Sequence, residues 1–261
     1  MKKYIFMVIL CVFIFSSCRS SSSRTEAPPQ DNGKNGFWNT LSVSGELVFH
    51  GVAGTRFDRE ASIRLALEDA ARKAAMFTQV KGRIAFYGKT GVTFWDYQAD
   101  TESTLDIETD YQKYIENFIF DSETDVLQEH NAIFVRVRYP SAVLVDIPYP
   151  FQSSHGAAKP GWIDEPPLVP GYVTGIGYAG RRMSYGDTVK GSYENAAFSI
   201  IRNISSAVEG SMADVHGAGG SVSNESRMSA EAVLIGFYVL DFWLDPADQT
   251  VWTLAIAKSD I

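Results

Sequence analysis

Hydrophobic and polar positions change rhythm along this chain in an order that occurs twice. Leu47-Val48-Phe49-His50-Gly51-Val52-Ala53-Gly54 is a short apolar run ending in glycines and predicts a strand. From about Asp58 to Val80 the period lengthens: Ile63, Ala66, Leu67, Ala70, Ala74 and Phe77 recur at three- and four-residue steps, the signature of a helix with one apolar face. Asp58 can cap its N-terminus, with Glu60 favourable in the first turn. A strand-like stretch follows over Ile84 to Asp96, then a long alternating stretch from Thr104 to Leu127. A turn at Glu129-His130-Asn131 leads into the strand Ile133 to Arg138.

The second half repeats the order. Tyr172 to Ala179 is a strand ending in glycines, and a helix over about Asp187 to Val208 turns Val189, Tyr193, Ala196, Ile200 and Ile204 to one side. After a glycine-rich loop at Gly217 to Ser221, one long strand is expected from Ser229 to Asp245. A turn at Pro246 to Gln249 precedes the last strand, Val251 to Lys258. The halves align: Gly51-Val52 with Gly175-Ile176, Glu68-Asp69-Ala70-Ala71 with Glu194-Asn195-Ala196-Ala197, and Glu129 to Val137 with Ala247 to Ala255. The expected fold class is therefore α+β: two tandem two-layer units, residues 37–150 and 151–261, each one helix packed on a small antiparallel sheet. A single domain with one merged sheet is the other arrangement this order allows. Seven prolines between Pro140 and Pro170 preclude a helix there, while Ser141 to Ile147 can add an edge strand.

The N-terminus carries a different pattern. Lys2 and Lys3 precede an apolar run from Tyr4 to Phe15 and then Ser16-Ser17-Cys18. A charged start, about a dozen apolar residues and a small-residue site read as a secretory signal over residues 1–17, too short for a membrane span of about 20 residues. Phe15-Ser16-Ser17-Cys18 resembles the lipobox of bacterial lipoproteins. That resemblance implies cleavage between Ser17 and Cys18 and acylation of the Cys18 thiol. Cys11 leaves with the signal, so Cys18 is the mature chain's one thiol and no internal disulfide can form. Two or more acyl chains give stable anchoring where one is marginal. Arg19 to Gly36 is rich in Ser, Pro, Asn and Gly and reads as a flexible tether with a reach of roughly 20–25 Å. Loss of Lys2 and Lys3 takes the formal charge from −8 to −10. Such a charge argues against nucleic acid as a partner and against electrostatic docking on anionic lipid.

Pro160-Gly161-Trp162-Ile163-Asp164-Glu165-Pro166, followed by the strand Tyr172 to Ala179 and a helix bearing Glu194-Asn195-Ala196-Ala197, resembles the LPP20 family of bacterial lipoproteins. The likeness covers Pro160 to Ile261 and extends more weakly to Glu46 to Tyr139, which lacks the Pro-x-Trp start. It implies a small α+β fold similar to dodecin-like and flagellar outer-ring assembly domains. It also implies an outer-membrane or surface lipoprotein, facing periplasm or exterior, with links to flagella or envelope integrity. The family pattern carries no catalytic residue.

The remaining chemistry is sparse. Gly175-Ile176-Gly177-Tyr178-Ala179-Gly180 is literally G-x-G-x-x-G, but no parallel strand with an acidic end follows, so a tight strand-to-helix turn is expected and no nucleotide cofactor. His50, His130, His155 and His216 lack ligand spacing, so no metal is expected. Asp241 and Asp245 share one face of an expected strand and read as solvated. Aromatic residues crowd two stretches: Phe86, Tyr87, Phe94, Trp95 and Tyr97, and Phe237, Tyr238, Phe242, Trp243 and Trp252. Core packing accounts for them more simply than a binding face. The expected function is a non-enzymatic, membrane-anchored envelope scaffold or assembly protein whose partners are other envelope proteins or further copies of itself. The alternative is a module binding a small apolar ligand or lipid between sheet and helix.

Overall fold

The computed structural model describes residues 37–38, 46–90, 97–140, 158–210 and 225–258. The signal stretch, Ser17, Cys18, the tether, the expected edge strand at Ser141 to Ile147 and the glycine-rich loop lie outside the described residues. Residues Lys34–Ile261 form one compact unit, and the fold is α+β.

Strand β1 (Glu46–Gly54) runs into helix α1 (Arg59–Thr78), then β2 (Val80–Thr90), β3 (Tyr97–Ile107), a one-turn helix α2 (Gln112–Ile115), β4 (Val126–Glu129) and β5 (Ala132–Pro140). A 3-10 turn at Gly161–Ile163 precedes β6 (Tyr172–Ala179), α3 (Tyr185–Gly210), β7 (Glu225–Leu234), β8 (Tyr238–Leu244) and β9 (Val251–Lys258). Among the described residues the strands form three antiparallel sheets. The order β1-β5-β4 in the first half is matched by β6-β9-β8 in the second. The third sheet, β3-β2-β7, takes strands from both halves, pairing Val80 with Leu234 and Ile84 with Ala230.

Local sequence explains the boundaries. The Asp58 carboxylate accepts the Glu60 N–H at 2.9 Å and starts α1. The β4–β5 hairpin closes through His130 and Asn131, both at positive φ (49° and 57°), as a two-residue primed turn requires. Two expected long strands are broken. The alternating stretch Thr104 to Leu127 stops at Ile107, where Glu108 accepts the N–H groups of Thr109 and Asp110 and pairs with Lys113, turning the chain into α2. The stretch Ser229 to Asp245 breaks at Gly236, whose φ of +68° ends β7 and sends β8 to another sheet. Its N–H donates to the Phe77 carbonyl at 2.8 Å, fixing the break against the end of α1.

The two repeats are not separate bodies. One hydrophobic cluster joins Leu47, Ala70, Met76 and Val135 of the first half to Tyr193, Ile200, Phe237 and Leu254 of the second. Helix α3 packs on β6 and β9 and also on β1, β2 and β7. Each two-layer unit alone would leave an apolar face open, and the halves close that face on each other. Edge strand β6 is shielded from its own side: Asn195 and Asn203 of α3 donate to the carbonyls of Tyr178 and Thr174, at 2.7 and 3.3 Å. Eight helical residues and four strand residues span nearly the same length, about 12–13 Å, so the two amides meet alternate carbonyls.

Candidate functional site at the seam between the repeats

The densest buried chemistry lies where α1 and α3 meet. Asp69 and Lys73, one turn apart on α1, are both buried and their side chains meet at 2.7 Å. Asp69 also accepts the Val52 N–H at 3.0 Å and the Tyr193 hydroxyl, from the other repeat, at 2.7 Å. Lys73 completes its shell on the His50 carbonyl at 2.7 Å and lies 4.6 Å from the centre of the Tyr193 ring. Burial, and then the Asp69 charge, push the Tyr193 hydroxyl well above its ordinary pKa, so it stays a donor. Beside this network Arg72 bridges the repeats, donating to Glu194 at 2.8 Å and to the Tyr111 hydroxyl at 3.1 Å. Asp69, Lys73 and Tyr193 satisfy one another, whereas Arg72 Nε is buried without a hydrogen-bond partner among the described residues, and the arrangement locks the two helices together.

Phe37 and Trp38, the first described residues, plug the neighbouring space. Trp38 meets Phe134 and Phe242 edge-on, with centroids 4.9 and 5.1 Å apart, and its ring lies 5.4 Å from that of His50. The cavity left among Trp38, His50, Lys73, Phe134, Tyr193 and Phe242 has about 30 Å³. That is room for about one water, against roughly 300 Å³ or more for a small-molecule pocket. The space between helix and aromatic sheet therefore gives no support to an apolar ligand site.

His50 Nε2 donates to the Phe37 carbonyl at 2.7 Å. Burial lowers the ring's pKa from 6.5 to about 4, with Lys73 and Arg136 adding to the effect and the Phe37 bond opposing it. Because the folded value is depressed, the unfolded chain binds the extra proton between pH 6.5 and about 4. Stability is complete above that window and is lost as pH falls through it, by up to about 3 kcal/mol. Urea unfolding across the window should show this slope in wild type and a flatter one in His50→Gln. Parallel slopes would mean that the ring is not held neutral by burial.

The expected positions distribute as follows. Cys18 and Ser17 lie outside the described residues, as do His155, His216, Phe94 and Trp95. His130 occupies the β4–β5 turn, far in role from half-buried His50. No group of His, Cys, Asp and Glu that could hold a metal occurs among the described residues. Asp241 is a correction: it is buried rather than solvated, and its carboxylate accepts the indole N–H of Trp162 at 2.9 Å. The Pro-x-Trp segment thus straps over the outer face of the β6-β9-β8 sheet. Asp245 does face the turn, accepting the Ala247 N–H at 2.8 Å. Phe237, Tyr238, Phe242 and Trp243 are core, while Trp252 is half-buried and stacks on exposed Tyr178 with centroids 5.2 Å apart. Gly175 and Gly177 lie inside β6, and neither they nor Gly180 are at positive φ, contrary to the expected turn geometry.

Compared with known protein families, curated proteins and solved structures, the chain has no match.

One repeated feature was not singled out in the sequence. The loop after β1 reads Arg56-Phe57-Asp58, and the loop after β6 reads Arg182-Met183-Ser184. In each, the arginine N–H donates to a helix hydroxyl six residues on: Arg56 to Ser62 at 2.8 Å and Arg182 to Thr188 at 3.0 Å. Those hydroxyls return to the carbonyls of Asp58 (3.2 Å) and Ser184 (3.1 Å). The shared spacing of arginine, apolar residue, cap and hydroxyl was the available signal. These bonds hold Phe57 and Met183 outward at equivalent places.

Proposed function

We propose that this chain is a non-enzymatic bacterial envelope lipoprotein of the LPP20 kind, anchored through lipid on Cys18 and acting as a scaffold or assembly factor. The observation that carries the proposal is the run Phe15-Ser16-Ser17-Cys18 behind a charged and apolar start. What supports it further is the order of parts: a polar stretch of tether composition, then a compact body that starts with buried Phe37 and Trp38. Interior Asp69, Lys73 and Tyr193 bind one another, leaving the outer faces as the places where partners can dock. The membrane is the outer membrane, with the body facing periplasm or cell surface.

Metabolic labelling with a fatty acid such as palmitate tests this in wild type and Cys18→Ala, followed by fractionation with a high-salt wash. Wild type should take label and stay with membranes, and Cys18→Ala should take none and leave with the wash. An unlabelled wild type would remove the proposal. Crosslinked pull-down from envelopes should recover a specific envelope protein or further copies of the chain.

A further inference from the structure

The two equivalent loops lie side by side. A Cβ added at Gly54, at the end of β1, would fall 3.2 Å from that of Ser184, and one at Gly186 would fall 3.0 Å from the Gly54 nitrogen. One groove is lined by Thr55 and Arg56 from the first loop and Met183 and Ser184 from the second. At their tips Phe57 and Met183 are fully exposed, at 110% and 104% of reference area. An isolated exposed apolar side chain is ordinary. Two of them, held outward at repeat-equivalent positions by the same pair of hydrogen bonds, form a feature that the fold builds twice.

The charge around them is inverted relative to the chain. Residues 54–64 and 180–190 carry six cationic side chains against three carboxylates, in a protein of formal charge −8. Arg56, Arg59, Arg64, Arg181, Arg182 and Lys190 are all exposed, and none meets a carboxylate among the described residues. Two of the three carboxylates are turned to local work: Asp58 caps α1, and Asp187 accepts the Ser184 hydroxyl at 2.7 Å, while Glu60 is exposed in the first turn of α1.

We infer that the paired loops rest on an anionic lipid surface, with Phe57 and Met183 entering the headgroup boundary and the unpaired arginines meeting lipid phosphates. This rests on the anchored-lipoprotein reading for its setting. A tether reaching roughly 20–25 Å keeps the body beside the bilayer, so a weak contact is enough to orient it. The contact reverses, for one face, the expectation drawn from the net charge: at about 0.1–0.15 M salt, screening over about 8–10 Å lets the local cationic cluster outweigh the distant negative charge.

The test uses residues 34–261, the compact unit with its own core and without Cys18, so it reads the loops independently of lipidation. Sedimentation with phosphatidylcholine vesicles, with and without phosphatidylglycerol, should show binding only where phosphatidylglycerol is present, and weaker binding at high salt. Phe57→Ser and Met183→Ser should each lower the partition coefficient about ten-fold or more, and Arg56→Gln with Arg181→Gln should remove most of the salt dependence. Circular dichroism melting should be unchanged, since all four side chains are exposed. Absence of vesicle binding at about 0.1 M salt, where the screening length is about 10 Å, or full binding by the Phe57→Ser, Met183→Ser double variant, would overturn the inference. So would loss of a dimer in place of loss of vesicle binding, which would assign the loops to a second copy of the chain. If the vesicles bind and Cys18 takes no label, only the anchoring proposal fails.

Discussion

Asp69→Ala should destabilise the folded chain by about 3–5 kcal/mol, the range for breaking a buried ion pair from one side. The reason is the number of groups that depend on this carboxylate. It receives the Val52 N–H, the Lys73 ammonium and the Tyr193 hydroxyl, so its removal strands three donors in one step. Lys73 is the costliest of them, because its charge stays buried with the His50 carbonyl as its remaining hydrogen-bond partner. Lys73→Met leaves the Asp69 carboxylate without its counter-ion but still accepting the Val52 N–H and the Tyr193 hydroxyl, so it should cost less, and Asp69→Leu with Lys73→Met should cost less than the sum of the two single changes. Urea unfolding of residues 34–261 followed by tryptophan fluorescence gives all three values. Additive costs would show that the pair is not coupled. Because Tyr193 belongs to the other repeat, Asp69→Ala should also lower the cooperativity with which the two halves unfold.

That network explains why the halves were legible as repeats while their union was not. The helices and the strands β1, β5, β6 and β9 could be read because each follows a local rule: apolar period, cap residue, turn pair. Asp58 as a cap and His130-Asn131 as a turn depend on neighbours within a few residues. The shared core depends on contacts between residues about 120 apart, such as Tyr193 with Asp69, and no period encodes them. The same holds for Asp241. On its own strand it alternates into a face that looks solvated, and only the strap carrying Trp162, distant in sequence, buries it. Gly236 was visible, but alternation on both sides of it hid that one glycine at positive φ separates two sheets. For the proposed anchor, the relation is reversed: Cys18 is legible only as a sequence motif, and folded neighbours play no part in recognising it.

The G-x-G-x-x-G run gives the sharpest contrast between motif and cause. Gly177→Ala should cost on the order of 3–4 kcal/mol, above the usual 1–3 kcal/mol for overpacking, because the obstacle is helix backbone and not a side chain that can turn away. A Cβ there would overlap the Ala196 nitrogen and the Ser192 carbonyl oxygen, and would lie 2.6 Å from the Asn195 carbonyl carbon. Helix α3 cannot easily retreat, since Asn195 and Asn203 tie it to the same strand. Gly51→Ala should behave alike in the first repeat, where the added Cβ would overlap the Ala66 carbonyl oxygen and lie 2.8 Å from the Ala70 nitrogen. Gly180→Ala is the control: nothing lies within 4 Å of its added Cβ and its φ is not positive, so the change should stay within about 0.5 kcal/mol. A nucleotide loop would need its glycines for close approach of a pyrophosphate. Here Gly51 and Gly177 admit a helix in each repeat, and the alanines they meet, Ala66, Ala70 and Ala196, keep that approach close from the other side. Thermal melting of the three variants decides the matter. Equal mildness at Gly51, Gly177 and Gly180 would mean that the helices do not press on the strands as the geometry requires.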